Sequence, residues 1–247
     1  SSTRGPLTLC TLSWTPIPGG YAVAMNRDER RTRAPALPPT IIQRAGVPVL
    51  VPSDGEAGGS WISVNAHGHC LALLNRWEES PHDPEGAFVS RGLLVLELAG
   101  LPGPEAVDSA IAGLPLSRYR PFTLASVARD RTPRLFEWNG RVLERAGIAE
   151  PGLVRTSSGS DQAGAERERG GLFREARLRA NGLTPEVLAD LHRSHRPEKG
   201  QLSICMHRTE AVTVSCSLVT VSANRMSFRY VAGSPCEATR FSDHTLP

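Results

Sequence analysis

The segment Tyr21–Arg30, with the sequence YAVAMNRDER, changes from apolar to charged within a few residues. Its first half is a short apolar run, which is typical of a buried β-strand. Its second half places an asparagine, two arginines and two carboxylates at the end of that strand. A carboxylate and a guanidinium are costly to bury unless they pair or take part in chemistry. The segment therefore predicts a strand that ends at a charged site.

A second apolar run, residues 7–12, precedes this strand and contains Cys10. The Pro/Gly-rich turn at 16–20 predicts that the two runs form a β-hairpin. Such a hairpin brings the Cys10 thiol close to Arg27 and Asp28. A thiol beside this pair is an arrangement that can support nucleophilic catalysis.

Apolar runs and turn signals along the rest of the chain predict strands, then helices, then strands, helices and strands. Residues 30–40 are rich in Arg and Pro and predict an irregular segment, and a loose tail is expected at 237–247. This order favours an α+β fold, an αββα four-layer sandwich of two antiparallel sheets flanked by helices. No linker or repeat divides the chain, which predicts a single domain over 1–247. The predicted strands are 7–14, 21–26, 47–51, 58–65 with a leading turn, 70–75, 122–128, 134–138, 141–145, 153–157, 202–207, 212–221 and 226–231, and the predicted helices are 93–98, 104–113, 166–180 and 184–192.

The composition is that of an ordinary globular protein. The 247 residues are 40% hydrophobic and 21% charged, and the net charge of +3 is too small to indicate a nucleic-acid or membrane surface. No apolar run is long enough to predict a membrane span, and residues 1–7 do not resemble a secretory signal. The five cysteines are irregularly spaced and odd in number, which favours free thiols in a reducing, cytoplasmic setting.

Cys10 is the candidate nucleophile. If it were the first residue, its own α-amino group, with a pKa of about 7.7–8.0, could act as the base. Arg27 or Asp28 could orient that amine, and Asn65 or the pair at 75–76 could donate to an oxyanion. The alternative is that Cys10 is a core residue, that Arg27 and Asp28 form a structural ion pair, and that the asparagines form turns.

Two other groups of residues invite a functional interpretation. Residues 67–70 (HGHC) and 205–207 (CMH) contain ligands that zinc prefers, but their spacing matches no common zinc site, so no metal is expected. The segment 156–160 (TSSGS) could bind an anion through hydroxyls and amides, or could be a solvated loop.

An ordered series of motifs carries a resemblance to a known family. The motifs are 10–12 (CTL), 26–29 (NRDE), 58–65 (GGSWISVN), 75–76 (NR), 90–92 (SRG), the later Ser-rich 156–158, and the C-terminal 205–208 (CMHR) and 230–233 (YVAG). With these motifs the sequence resembles the NRDE family, also called the transport and Golgi organization protein 2 family, over about residues 9–236.

The resemblance implies an N-terminal-nucleophile (Ntn) hydrolase fold, whose cysteine branch includes bile salt hydrolases and penicillin V acylases. It implies a possible cysteine amidohydrolase or acyltransferase on a small amide or thioester, with no required cofactor. The alternative is a non-catalytic haem or acyl-lipid trafficking or binding protein, with haem as ligand. By similarity the catalytic set is Cys10, Arg27, Asp28 and Asn65, and the substrate-binding set is Asn26, Trp61, Asn75, Arg76 and Ser157.

The start of the chain departs from the family pattern. Members usually begin Met-Cys, whereas here nine residues precede Cys10 and Leu9 stands in the Met position. We hypothesise that Leu9 is the true start or that the extension 1–9 is removed, because an attached extension leaves Cys10 without an α-amino base.

Overall fold

The computed structural model describes residues 10–76, 88–158 and 161–246, so the extension 1–9 and residues 159–160 of the Ser-rich segment lie outside it. Thirteen strands, four α-helices and one short 3-10 helix (Leu116–Arg118) are found in the described ranges. They are β1 Thr11–Ile17, β2 Gly20–Arg30, β3 Leu37–Arg44, β4 Val47–Ser53, β5 Ile62–Asn65, β6 His69–Asn75, α1 Arg91–Leu98, α2 Pro104–Ile111, β7 Phe122–Ala128, β8 Arg134–Trp138, β9 Leu143–Gly147, β10 Gly152–Thr156, α3 Gln162–Arg179, α4 Pro185–Arg193, β11 Ala211–Val221, β12 Met226–Ala232 and β13 Ser242–His244.

The strands form two antiparallel sheets with helices on their outer faces. The first sheet has the order β10-β1-β2-β11-β12-β13, and the second has the order β3-β4-β5-β6-β7-β8-β9. The largest core cluster lies between the sheets, while α1 and α2 cover the second sheet and α3 and α4 cover the first. The predicted αββα sandwich is confirmed.

Local sequence explains where the helices of the first sheet's outer layer begin. Asp161 caps α3 by accepting a hydrogen bond from the Gly164 backbone N–H, and Thr184 caps α4 in the same way from Val187. Pro185 fills the first position of α4, where its missing N–H costs nothing. Of the helices found in the described ranges, none combines the length and the apolar character that a membrane crossing requires.

The alternation of side chains along β2 decides what reaches each face of the first sheet. Val23 and Met25 belong to the core between the sheets, whereas Ala22 and Ala24 pack under α3 and α4. Because successive residues of a strand point to opposite faces, Arg27 continues the inter-sheet row, and Asn26 and Asp28 continue the helix-facing row.

The structure corrects three predictions. The segment 30–40, predicted as irregular, contains the first half of β3, an edge strand where prolines are tolerated. Residues 202–207 do not form a strand. Their backbone groups bond to residues outside the sheets; for example, the Cys205 N–H donates to the Ser194 carbonyl. The tail expected to be loose contributes β13, which pairs with β12.

Candidate functional site

Cys10 lies immediately before β1, where it is held by the end of β10. Its carbonyl accepts hydrogen bonds from the Ser157 backbone N–H (2.9 Å) and the Thr156 hydroxyl (3.1 Å). Its own backbone nitrogen donates to Ser157 Oγ at 3.0 Å. The predicted substrate-binding residue Ser157 therefore contacts the main chain of the candidate nucleophile.

The thiol of Cys10 is mostly buried and lies next to Asp28. The β1–β2 register pairs Thr11 with Asn26, so Cys10 continues opposite the Arg27–Asp28 end of β2. Burial, then the negative charge of the Asp28 carboxylate, raises the pKa of Cys10 to about 12, although the Asp28 backbone N–H and the Arg27 charge act in the opposite direction. At neutral pH the thiol is therefore protonated and needs a base at the moment of attack.

The Asp28 carboxyl group is buried, and only one of its two oxygens has a hydrogen-bond partner among the described residues. Its Oδ1 accepts a hydrogen bond from the Thr213 hydroxyl at 2.6 Å, and its Oδ2 has no hydrogen-bond partner among the described residues. Burial raises the pKa of Asp28 to about 7, against the positive charge of Arg169 and the Thr213 hydrogen bond. Asp28 can therefore change its charge near neutral pH.

Arg169 of α3 is a component that the sequence reasoning did not single out. Its fully buried guanidinium donates to the hydroxyls of Thr11 and Thr156, both at 2.6 Å, and to the carbonyls of Gln201 and Leu202. Burial lowers its pKa, while the charges of Asp28 and Cys10 raise it. The signal in the sequence that could have identified Arg169 is its position on the buried face of α3, where an apolar residue is expected.

Arg27 points away from Asp28, into the space between the sheets. Its guanidinium lies over the Trp61 ring, 4.5 Å from the centroid, and forms ion pairs with Asp54 and with Glu29 (3.2 Å). Arg33 joins the same group of charged side chains by donating a hydrogen bond to Asp54 at 2.9 Å. The expected alternative of a structural Arg27–Asp28 ion pair is therefore wrong, because adjacent strand residues face opposite sides of the sheet.

Cys10 and Arg27 line a cleft of about 670 Å³ whose walls come from both sheets and the start of α1. This volume lies within the range of small-molecule sites. Its lining contains five arginines and three carboxylates, so it favours an anionic group, and Trp61, Leu73 and Phe88 give it an apolar part. The charged lining residues are Arg27, Arg30, Arg33, Arg91, Arg120, Glu29, Asp54 and Glu56.

Of the predicted asparagines, only Asn75 lines the cleft. Asn65 is buried at the β5–β6 turn, where its amide N–H groups donate to the carbonyls of Ala99 and Leu101 and its oxygen accepts from the backbone of His67 and His69. Since every polar atom of this side chain is used in the turn, the expectation that Asn65 binds an oxyanion is not supported by its position.

Asn26 and Arg76 also lie outside the cleft lining. The Asn26 amide donates to the carbonyls of His192 and Ile204, and its oxygen contacts His192 Nδ1 at 3.0 Å, so it joins the first sheet to the helical layer. Arg76 follows β6, and its guanidinium lies 3.9 Å from Glu137. Neither placement supports the predicted contact with a substrate.

Comparison with known proteins agrees with this architecture. The family model described as "Transport and Golgi organisation 2" matches residues 10–159. A search of curated proteins found no match. Two variants of conjugated bile acid hydrolase from Clostridium perfringens superpose with TM-scores of 0.57 and 0.54, each at 12% identity over 96% of this chain and 92% of the other. The Caenorhabditis elegans ortholog of N-acylethanolamine-hydrolyzing acid amidase superposes with a TM-score of 0.54, at 11% identity over 96% of this chain and 100% of the other. At this identity the likeness shows an Ntn-hydrolase-like fold.

Proposed function

The chain belongs to the Transport and Golgi organisation 2 family, and we propose that it is an Ntn-type amidohydrolase or acyltransferase acting on a small amide or thioester through Cys10. The observation that carries this proposal is the position of Cys10 at the cleft, with its backbone nitrogen on Ser157 and its thiol next to Asp28.

The proposed reaction begins with attack of the Cys10 sulfur on the substrate carbonyl carbon. The thiol proton passes to the free α-amino group of Cys10, which Ser157 Oγ orients. The resulting ammonium returns that proton to the leaving amine or thiol as the C–N or C–S bond breaks, which leaves an acyl-thioester on Cys10. Water then cleaves the thioester to release the carboxylic acid, or an acceptor amine takes the acyl group.

The tetrahedral intermediate needs a hydrogen-bond donor for its oxyanion. Asn75 takes this role in our proposal, because it lines the cleft together with Cys10, whereas the amide of Asn65 is used in its turn. The excess of arginines favours a substrate with a carboxylate or phosphate group, and the apolar wall favours a hydrocarbon portion.

The test is covalent labelling with an electrophilic acyl probe, read by intact mass and peptide mapping. We expect one equivalent of label on Cys10 and none in Cys10→Ala. Cys216→Ala is the matched control, because Cys216 is also a buried cysteine next to the same strand, β2, but does not line the cleft. A wild-type protein with Cys10 as its free N-terminus that takes no label, or whose turnover survives Cys10→Ala, would end the proposal.

A second candidate function is the binding of haem or an acyl-lipid without catalysis. The observation that favours it is the same arginine-rich, partly apolar cleft, since haem carries two carboxylates on an apolar ring. Titration with haem gives a saturable Soret shift under this hypothesis, and the shift survives Cys10→Ala if the thiol is not a ligand. An unchanged spectrum at stoichiometric haem would remove this candidate.

A further inference from the structure

A second group of reactive side chains lies outside the cleft lining. His195 follows α4, Cys205 and His207 lie in the segment before β11, and Cys236 follows β12. One potential ligand atom from each of these four residues lies within 4.8 Å of the other three. We propose that these residues form a structural zinc site.

The distances within the group are those of a tetrahedral thiolate–imidazole site. Cys205 Sγ lies 3.6 Å from His207 Nε2, and His207 Nε2 lies 3.3 Å from Cys236 Sγ. Zn–S bonds of about 2.3 Å and Zn–N bonds of about 2.0–2.1 Å at tetrahedral angles place neighbouring ligand atoms roughly 3.3–3.8 Å apart. Small movements of the side chains therefore suffice to close the site around an ion.

An unsatisfied polar atom provides independent support. His195 Nε2 is buried and has no hydrogen-bond partner among the described residues, although a buried ring nitrogen normally has one. The rings of His195 and His207 meet edge to face with centroids 5.1 Å apart. An ion bound through His195 Nε2 would give this nitrogen the partner that it lacks among the described residues.

The positions of the four ligands along the chain explain why the sequence spacing did not predict a zinc site. Only Cys205 and His207 are close in sequence, and two more distant segments supply the other ligands. A closed set of four Cys and His ligands with no position for water is typical of structural zinc, which joins segments that lack a core of their own. Here it would join the end of α4, the bend at 205–207 and the segment before β13.

The site is connected to the candidate active site through Met206. The Met206 backbone N–H donates to Thr213 Oγ1 at 2.8 Å, and the same hydroxyl donates to Asp28 Oδ1 at 2.6 Å. The Thr213 backbone N–H returns a bond to the Met206 carbonyl at 2.9 Å. Metal bound at Cys205 and His207 would thus hold Met206 in place, and through it Thr213, whose hydroxyl donates to the buried Asp28 carboxylate.

The test is metal analysis of the full chain, purified under reducing conditions through a tag without histidines. Elemental mass spectrometry should give about one zinc per chain, and Co²⁺ exchange should give the intense d–d bands of a tetrahedral thiolate site. Cys236→Ser should lose most of the metal and yet fold, as circular dichroism checks, because Cys236 is only partly buried. Cys205→Ser should also lose it, while the control Cys216→Ser should keep it.

Two results would overturn the proposal. One is a wild-type protein that contains no zinc and gives no cobalt spectrum with equimolar Co²⁺. The other is a pair of folded Cys205→Ser and Cys236→Ser variants that keep as much zinc as Cys216→Ser does. Metal content is independent of turnover, so failure here leaves the amidohydrolase proposal standing.

Discussion

The Asp28 carboxyl group is fully buried, yet one of its two oxygens receives no hydrogen bond from the residues that the structure describes. Burial raises its pKa from about 3.9 in the unfolded chain to about 7 in the folded protein. The folded state therefore holds this proton more tightly than the unfolded chain does. Protonation of Asp28 therefore contributes to the free energy of unfolding fully below about pH 4, and this contribution is lost as the pH rises towards about 7.

We predict that Asp28→Asn is more stable than the wild type at pH 8 and close to it at pH 4. The amide still accepts from Thr213 and carries no charge to bury, and the pKa difference sets an upper limit of roughly 4 kcal/mol. Urea unfolding at the two pH values measures the effect. Asp54→Asn is the opposite-sign control: although burial acts to raise the pKa of Asp54, Arg33 and other partners lower it, so this variant should lose stability at pH 8.

Arg169 gives a second prediction at the scale of a single residue. Arg169→Met removes the donor from two threonine hydroxyls and two carbonyls and the positive charge near Asp28. We expect a loss of about 3–5 kcal/mol in unfolding free energy, as for breaking a buried ionic group. Arg167→Met is the control, since its exposed side chain on the same helix should change stability by less than about 0.5 kcal/mol. Equal losses in the two variants would contradict the assigned role.

At the scale of elements, the apolar runs predicted most strands and all four helices, because burial of an apolar face decides their period. They could not predict β3, whose prolines lower strand propensity and are tolerated only at the sheet edge. Nor could they tell the two asparagines apart. Asn65 and Asn75 both end a strand. They differ because the α1–α2 connection packs over Asn65, so that the Asn65 amide bonds to its carbonyls and has a structural role in the turn.

This difference between the asparagines predicts opposite effects of substitution. Asn65→Ala leaves buried carbonyls and N–H groups without partners and should cost about 2–3 kcal/mol of stability. Under the proposed mechanism it should leave the kcat of the folded protein unchanged. Asn75→Ala should leave the melting temperature nearly unchanged and reduce kcat about 10²–10³-fold under the proposed mechanism. Melting curves and turnover on one substrate measure both. A kcat that falls with Asn65→Ala and survives Asn75→Ala would return the oxyanion role to Asn65.

At the scale of the whole molecule, the candidate site joins residues from opposite ends of the chain. The sequence predicted Cys10 and Arg27 because they lie on one hairpin. Thr213, in contrast, meets Asp28 because β11 pairs with β2 in the first sheet, and the Arg169 charge acts on Asp28 because α3 packs on that sheet. Local patterns contain no information on such contacts. The order of predicted elements and the resemblance between motifs both indicated the fold, whereas the division of roles between the two faces of β2 follows only from the structure.

The last prediction concerns the covalent state of the chain. The proposed base is the α-amino group of Cys10, and in this sequence Cys10 follows Leu9. A peptide nitrogen cannot accept the thiol proton, and burial beside the Asp28 carboxylate holds the Cys10 pKa near 12. Reactivity should therefore require that the bond between Leu9 and Cys10 be absent.

We expect chains expressed with Met directly before Cys10, and processed to a free Cys10, to react with the acyl probe at least tenfold faster than chains that retain residues 1–9. Intact mass identifies the N-terminus of each sample. Ser157→Ala removes the hydroxyl that contacts the Cys10 nitrogen and should slow the processed chain while leaving the unprocessed chain at its low rate. If chains that keep residues 1–9 react as fast as processed ones, the amine is not the base, and a side chain of the cleft must take the proton instead.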